Sequence, residues 1–355
     1  MTAAASAPDS PRIGQIDALR AIAALLVLVT HATEVFKPAA DAAARNVWLH
    51  DIAHVMDFGR IGVVVFFMIS GYVVANTLSN PATTVPRFVL RRLFRLYPLY
   101  WVSVAAACLW MVPGPIDPPT LAANLTMLPT LFGKEPYMGL YWTLETELAF
   151  YLIALVLLGV RLLRNPMALL VLACALIACF AAFMFGVVPA PANLSWKSFP
   201  LNLTFMLVGI LAFIGNRRML AAAVVVALAP SAFALLRFFA SGSPDDLRWG
   251  LAYPSAVLVF LAICNSRRMP VEPLATLGLV SYSMYLLHPF ALMLVSGVLV
   301  PANVLVEKLG MTGAVGVAVV ATILVAAFTY RVVERPLNAY ARRVTARSRP
   351  LATKG

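Results

Sequence analysis

Arg20 and His31 enclose ten residues that are aliphatic, Ala or Thr in the first apolar stretch of the sequence, LRAIAALLVLVTHATEVF, and both side chains could do chemistry there. Arg20 begins this stretch and His31 lies eleven residues later. At about 100° and 1.5 Å per residue, this spacing places both side chains on one face of a helix about 16 Å apart. Glu34 continues that face and could orient the imidazole. A histidine oriented in this way could accept a proton, whereas a snorkelling arginine and a structurally satisfied histidine would show the same spacing.

A second polar stripe lies in the segment SYSMYLLHPF. Ser281, Tyr285 and His288 stand at i, i+4 and i+7, so they share one face of a helix. Pro289 opens the backbone next to the histidine because it has no N–H to donate. These groups could stabilise a developing oxyanion, although a polar seam between two helices would have the same pattern.

Two carboxylates occur in the segment YWTLETELAFY. Glu145 and Glu147 point about 200° apart on a helix, so only one of them can face a shared cavity. We favour Glu147 because it lies further inside the apolar run, which would place it closer to the centre of a bilayer if this run spans a membrane. Glu145 lies nearer the end of the run and can reach back to its polar boundary.

A basic cluster occurs in the segment RFVLRRLFRLYPLYW. Arg91, Arg92 and Arg95 lie near the start of an apolar run, with Arg91 and Arg95 four residues apart on one side of a helix. Guanidinium groups bind phosphate oxygens in a bidentate manner, which favours a nucleotide-type phosphate ligand. Anchoring to anionic lipid headgroups is equally compatible with this composition.

Composition shows what kind of scaffold must position these groups. The chain has 355 residues, of which 62% are hydrophobic and 12% are charged, and its mean hydropathy is +0.88. Such values predict an all-α integral membrane protein. The net charge of +12 does not indicate nucleic-acid binding, because no basic stripe is interleaved with aromatic residues on a polar surface. The four cysteines lie in apolar runs without metal-ligand spacing, so we predict no metal site.

Apolar runs long enough to cross a bilayer predict ten spans with both termini in the cytoplasm. Nineteen of the 27 Lys and Arg residues then fall on the cytoplasmic side and eight on the other, as the positive-inside rule requires. The predicted spans are 17–36, 58–78, 93–112, 139–160, 167–188, 199–214, 219–238, 249–265, 274–300 and 312–333.

This topology places polar groups of three spans at a similar depth. His31 lies roughly 21 Å along an outward-running helix, and Glu145 and Glu147 lie roughly 9 and 12 Å along an inward-running one. His288 lies at the same distance as His31 along a third helix. Ionisable groups inside a membrane are costly, so their convergence in the outer half of the bilayer indicates a functional site.

The chain reads as one membrane domain with short tails. We predict a disordered cytoplasmic tail over residues 1–14, a membrane domain of ten spans over 15–336 and a basic cytoplasmic tail over 337–355. The first span is predicted to be retained, since the Ala-rich stretch that follows it lies too far from the apolar core for a signal-peptide cleavage site.

Taken in order, these motifs resemble the membrane acyltransferase-3 family, which acylates cell-envelope and exported glycans. The resemblance comprises the Arg, ten residues, His pattern of the first span, the segment GVVVFFMISGY of the second, and the Arg-rich RFVLRRLFRLYPLYW. It continues through WTLETELAFY, SYSMYLLHP and the closing VVERP. Together they cover nearly the whole chain, from about residue 15 to residue 336.

The resemblance implies roles for individual residues. The catalytic residues would be His31, Arg20, Glu147 and His288. The substrate-binding residues would be Glu34, Trp142, Ser281 and Tyr285. The donor would be acyl-CoA, in the simplest case acetyl-CoA, and its phosphates would lie near Arg91, Arg92 and Arg95. Leu148 stands where the family usually has a second glutamate.

The resemblance also implies a multi-pass protein of the bacterial inner membrane. Its partners would be acyl-CoA, a polysaccharide or lipid-linked oligosaccharide acceptor, membrane lipids and polysaccharide-assembly proteins. An alternative from the residues alone is a proton-coupled transporter or flippase for a lipid-linked glycan, with the intramembrane histidines and glutamates relaying protons.

Overall fold

Within its described residues the protein is an α-helical bundle with ten helical segments that are long and apolar enough to cross a membrane, which confirms the predicted helical membrane fold and its number of spans. The computed structural model describes residues 11–189, 194–266 and 272–347, and this part of the chain contains no β-strand. Its helices are α1 (Pro11–Ala42), α2 (Trp48–Val55), α3 (Phe58–Ser79), α4 (Val85–Trp110), α5 (Pro118–Leu125), α6 (Trp142–Gly159), α7 (Pro166–Met184), α8 (Leu194–Ile214), α9 (Arg217–Ser241), α10 (Pro244–Asn265), α11 (Glu272–Gly278), α12 (Ser281–Met293), α13 (Ala302–Thr329) and α14 (Arg335–Arg347).

Several helices are longer than the apolar runs that predicted them. Helix α4 begins at Val85, where the Thr84 side chain caps it by accepting a hydrogen bond from the Arg87 backbone N–H at 3.4 Å. Helix α1 begins at Pro11, inside the segment predicted as a tail, and α14 occupies much of the predicted C-terminal tail. Residues 1–10 and 348–355 lie outside the described residues. Hydropathy marks the part of a helix that crosses hydrocarbon, whereas capping decides where the helix ends.

Helix α1 lies at the centre of the bundle, in contact with α3, α11, α12 and α13. Its small residues Ala18, Ala21, Ala23, Ala24 and Ala32 are fully buried. Small side chains allow neighbouring backbones to approach closely, which is how membrane helices gain packing energy without a hydrophobic driving force. The helix that carries Arg20 and His31 is therefore held by neighbours along most of its length.

Helices α3 and α8 cross in direct backbone contact through two glycines. A Cβ atom at Gly71 would lie 1.9 Å from the carbonyl oxygen of Met206, and one at Gly209 would lie 2.0 Å from that of Met68. Both positions are closed to any side chain unless the two helices separate. The crossing sets the position of α3, which bears Ser70 next to the glycine.

We expect Gly71→Ala to destabilise the fold by about 1–3 kcal/mol, because the added methyl group overpacks the α3–α8 crossing. The measurement is the thermal or chemical unfolding midpoint of the detergent-solubilised protein. Gly316→Ala is the matched control: Gly316 is also in a spanning helix but a Cβ there meets nothing within 4 Å. An equal loss of stability in both variants would contradict the role of the crossing.

Candidate active site

Two histidines from distant parts of the sequence stack against each other. The rings of His31 on α1 and His288 on α12 have centroids 5.1 Å apart and an interplanar angle of 20°. His31 is 45% exposed at its side chain, whereas His288 is 1% exposed. His31 is therefore the member of the pair that a ligand can reach, and His288 lies behind it.

A carboxylate orients the accessible histidine. His31 Nδ1 lies 3.1 Å from Glu34 Oε2, one helical turn later on α1. An ionised carboxylate only accepts hydrogen bonds, so Nδ1 carries the proton and Nε2 of the neutral ring is left as the basic atom. This is the arrangement in which a carboxylate positions a general base.

Pro289 explains how the buried histidine is held. Proline has no N–H, so the carbonyl oxygen of Tyr285, four residues earlier in α12, receives no backbone hydrogen bond from it. His288 Nδ1 lies 2.7 Å from that oxygen and donates to it. The His-Pro pair of the sequence thus supplies both the free acceptor and the donor that satisfies it.

The histidines line a cavity of about 930 Å³, here called the histidine cavity. Of the predicted site residues, the cavity is lined by His31, Glu34, Trp142, Tyr285 and His288. Its volume is near the upper end of the roughly 300–1,000 Å³ usual for small-molecule sites.

A smaller cavity of about 80 Å³, here called the arginine cavity, contains most of the other predicted residues. It is lined by Arg20, Arg92, Arg95, Glu147 and Ser281, among others. Val63 and Tyr285 line both cavities. The structure thus separates the predicted site residues into two neighbouring compartments divided by these two side chains.

Arg20 is paired with a residue that sequence reasoning did not assign to the site. Its Nη1 lies 2.5 Å from Asp17 Oδ1, and both side chains are largely buried. Asp17 stands three residues before Arg20, a spacing that brings the two side chains together on a helix. That spacing was the available signal for this pair.

Glu147 lies in the arginine cavity and contacts no imidazole among the described residues. Its Oε1 accepts hydrogen bonds from Ser70 Oγ at 3.2 Å and from the Tyr151 hydroxyl. The same Tyr151 oxygen accepts a hydrogen bond from Arg92 at 3.4 Å. Glu147 is therefore joined to Arg92 through Tyr151, a residue that the sequence motifs do not mark as part of the site.

Glu145 has a different place, outside both cavities. Its carboxylate accepts hydrogen bonds from the backbone N–H of Thr130 at 3.1 Å and from the Thr130 hydroxyl. The Trp196 indole N–H donates to the same hydroxyl at 2.9 Å. Glu145 thus braces the loop before α6.

Tyr285 and Arg91 are engaged in contacts that the sequence did not predict. The Tyr285 hydroxyl donates to the Leu140 carbonyl at 3.2 Å and lies 2.8 Å from the Thr143 hydroxyl. Arg91 lines neither cavity; its Nε donates to Thr345 Oγ1 of α14 at 3.1 Å. Arg91 is therefore close to the C-terminal helix rather than to the histidines.

Within residues 11–189, 194–266 and 272–347, no cluster of three or more His, Cys, Asp or Glu side chains is arranged to hold an ion. The acid-base pair Glu34–His31 and the guanidinium groups are the chemically competent features of the two cavities.

A multi-pass membrane bundle with a carboxylate-oriented histidine in one cavity and a guanidinium cluster in the neighbouring cavity has the features of a membrane-embedded group-transfer protein. Residues 13–331 match the family described as an acyltransferase domain, and the chain belongs to this family. It is therefore a membrane acyltransferase. The transporter alternative gives no reason for this family match.

Two curated relatives share parts of the sequence. The exopolysaccharide production protein ExoZ of Rhizobium meliloti strain 1021 is 30% identical over 315 residues, which cover 82% of this chain and 94% of the relative. Nodulation protein 10 of Rhizobium leguminosarum bv. viciae is 26% identical over 166 residues, which cover 38% of this chain and 41% of the relative. No solved structure matches the chain significantly.

Proposed function

We propose that this acyltransferase moves an acyl group, in the simplest case acetyl, from cytoplasmic acyl-CoA to a hydroxyl of a polysaccharide or lipid-linked oligosaccharide across the bacterial inner membrane. One observation carries the proposal: a cavity of guanidinium groups and a cavity with an oriented histidine meet at Val63 and Tyr285. The name of the ExoZ relative supports a polysaccharide acceptor.

The arginine cavity is proposed to receive the donor. Arg92 and Arg95 line it, and guanidinium groups bind phosphates in a bidentate manner. Arg91 stands one turn before Arg95 on α4, beside α14. Lys and Arg are concentrated on the loops of the same side, which the positive-inside rule makes cytoplasmic. The thioester at the end of the flexible CoA arm would then extend past Arg20 towards Tyr285.

His31 is proposed to act as the general base. Its Nε2 takes the proton of an acceptor hydroxyl, and the hydroxyl oxygen attacks the thioester carbonyl carbon. The C–S bond then breaks, and the CoA thiolate leaves with the proton returned by the imidazolium. Glu34 holds the tautomer that this step needs and stabilises the transient positive charge.

The test uses the protein in lipid nanodiscs with labelled acetyl-CoA and de-O-acylated polysaccharide from the host strain. Release of CoA coupled to label in the glycan supports the proposal. A covalent label that forms on the protein in single turnover without acceptor, and is absent from His31→Ala, would instead identify His31 as an acyl carrier. Glycan movement without acyl transfer would contradict the proposed reaction.

We expect Arg92→Gln and Arg95→Gln each to raise the apparent KM for acyl-CoA by about tenfold or more, because each removes a charge-assisted hydrogen bond to phosphate. Steady-state kinetics at saturating acceptor give the measurement. Arg161→Gln is the control, since Arg161 is an exposed arginine outside both cavities. An unchanged KM would assign Arg92 and Arg95 to lipid anchoring instead.

A further inference from the structure

The wall of the histidine cavity contributed by α10, α8 and the start of α3 contains charged and aromatic side chains that the proposed proton transfer does not use. We call this surface the α10 wall; it comprises Asp57, Arg60, Asn202, Arg248 and Trp249, all of which line the cavity. The α10 wall and His31 line the same cavity. One ligand could therefore contact the wall with one of its parts and His31 with another.

The charges of this wall are compensated internally. Asp57 Oδ2 lies 2.9 Å from Arg60 Nε and 3.6 Å from Arg248 Nη2. Over the whole cavity lining, the carboxylates of Glu34 and Asp57 balance the two guanidinium groups. An anionic ligand would therefore find no uncompensated positive charge and would have to compete with Asp57.

The wall also contains two hydrogen-bond donors that have no partner among the described residues, Asn202 Nδ2 and Arg248 Nε, and the Tyr137 hydroxyl elsewhere in the cavity lining has none either. Asn202 is 4% exposed. A buried donor without a partner is costly, so such groups in a cavity favour a ligand that presents neutral oxygen acceptors.

Aromatic rings stand next to these polar groups. The Arg60 guanidinium carbon lies 4.2 Å from the centroid of the Trp249 ring, which it helps to immobilise. Trp142 and Trp249 are half-buried and line the same cavity. Rigid aromatic surfaces beside fixed donor and acceptor groups suit a ligand with both apolar C–H faces and hydroxyls, which is the chemistry of a sugar ring.

The backbone at Asp57 shows that this arrangement is maintained at a cost. Asp57 adopts the left-handed conformation, with φ of 52°, and caps α3 by accepting from the Arg60 N–H at 3.1 Å. Non-glycine residues in this region are uncommon and concentrate at functional sites. The conformation aligns the Asp57 carboxylate with both guanidinium groups.

We infer that the α10 wall is a binding subsite for an uncharged sugar unit of the acceptor, adjacent to the unit that is acylated. This inference rests on the proposed function and specifies its substrate class. Asp57 and Arg248 would bind adjacent sugar hydroxyls as acceptor and donor, and Trp249 would contact the ring.

The experiment measures binding and kinetics on the full chain in nanodiscs. Saturation-transfer NMR compares a neutral glucose tetrasaccharide with a tetragalacturonate as probes. We expect the saturation-transfer signal of the neutral probe to be at least fivefold larger than that of the acidic probe. The signal of the neutral probe should be lost in Arg248→Gln and in Trp249→Leu. With de-O-acylated oligosaccharides as acceptor, these variants should raise the acceptor KM about tenfold with kcat and the KM for acetyl-CoA within about twofold.

Arg237→Gln is the matched control, because Arg237 pairs with Asp246 at 3.3 Å and does not line the cavity. Only variants whose unfolding midpoint matches that of wild type are compared, and Arg248→Gln carries the test if Trp249→Leu does not fold. Equal or stronger binding of the acidic probe, no binding of the neutral one, or variants that bind and turn over like wild type would overturn the subsite.

Failure of the proposed function gives a different pattern. Neutral-sugar binding that depends on Arg248 and Trp249, without any acetyl-CoA consumption, would contradict the acyl transfer proposal and leave the subsite standing. Acyl transfer with an acceptor KM that neither variant changes would support the acyl transfer proposal and contradict the subsite.

Discussion

Replacing His31 with alanine is expected to lower the rate of acyl transfer by about 10²–10⁴-fold, the usual contribution of a general base. The protein should remain folded, because the His31 side chain is 45% exposed and its ring contacts one other ring. The measurement is CoA release coupled to glycan acylation, with protein amount and unfolding midpoint checked in the same preparation.

Three further variants make this result specific. His54→Gln is the control, since His54 stacks on His50 at 5.4 Å and lines neither cavity. Glu34→Gln should lower kcat with little change in either KM, because Glu34 is a positioning residue that acts through the imidazole. His288→Gln keeps a donor for the Tyr285 carbonyl and should lose less activity than His31→Ala. Wild-type rates from a folded His31→Ala protein would rule out the base assignment.

Replacing Arg20 with glutamine is expected to have two separable effects. Asp17 would keep a largely buried charge without its partner, which costs about 3–5 kcal/mol of stability when the environment is dry. Acyl transfer at limiting acyl-CoA would also fall by about tenfold or more, because Arg20 lines the cavity proposed to hold the donor and its loss removes a charge-assisted hydrogen bond there.

A double variant separates these effects. Asp17→Asn combined with Arg20→Gln removes both charges together and leaves two amides that can hydrogen-bond to each other, so it should recover most of the stability but not the activity. Unfolding midpoints and single-turnover rates are measured on Arg20→Gln, Asp17→Asn and the double variant, which together with wild type form a double-mutant cycle. Recovery of both properties in the double variant would show that Arg20 is needed only to neutralise Asp17.

The number of spans and the class of fold could be predicted from the sequence because they depend on hydrophobic length. Helix ends could not, since caps such as Thr84 and the continuation of α1 from Pro11 depend on local hydrogen bonds outside the apolar core. Close crossings such as Gly71 against Met206 were also invisible, because a small residue permits an approach without naming the partner.

The position of Glu147 shows the limit of estimates from depth. Its distance along α6 suggested a place beside the histidines, yet it lies in the arginine cavity with Ser70 and Tyr151. Thr143, one helical turn earlier, is an α6 residue whose hydroxyl contacts the Tyr285 hydroxyl. Four residues correspond to about 6 Å along a helix, which is within the uncertainty of where a span enters the bilayer.

The sequence by itself determined the helical membrane scaffold, the shared face of Arg20 and His31, and the contact between His31 and Glu34, because these follow from hydrophobic length and helical period. Only the tertiary structure decided that His288 stacks on His31, that the site residues divide into two cavities at Val63 and Tyr285, and that Asp57 meets Arg248. Such contacts depend on the rotation and crossing of helices far apart in the chain, which one-dimensional periodicity does not contain.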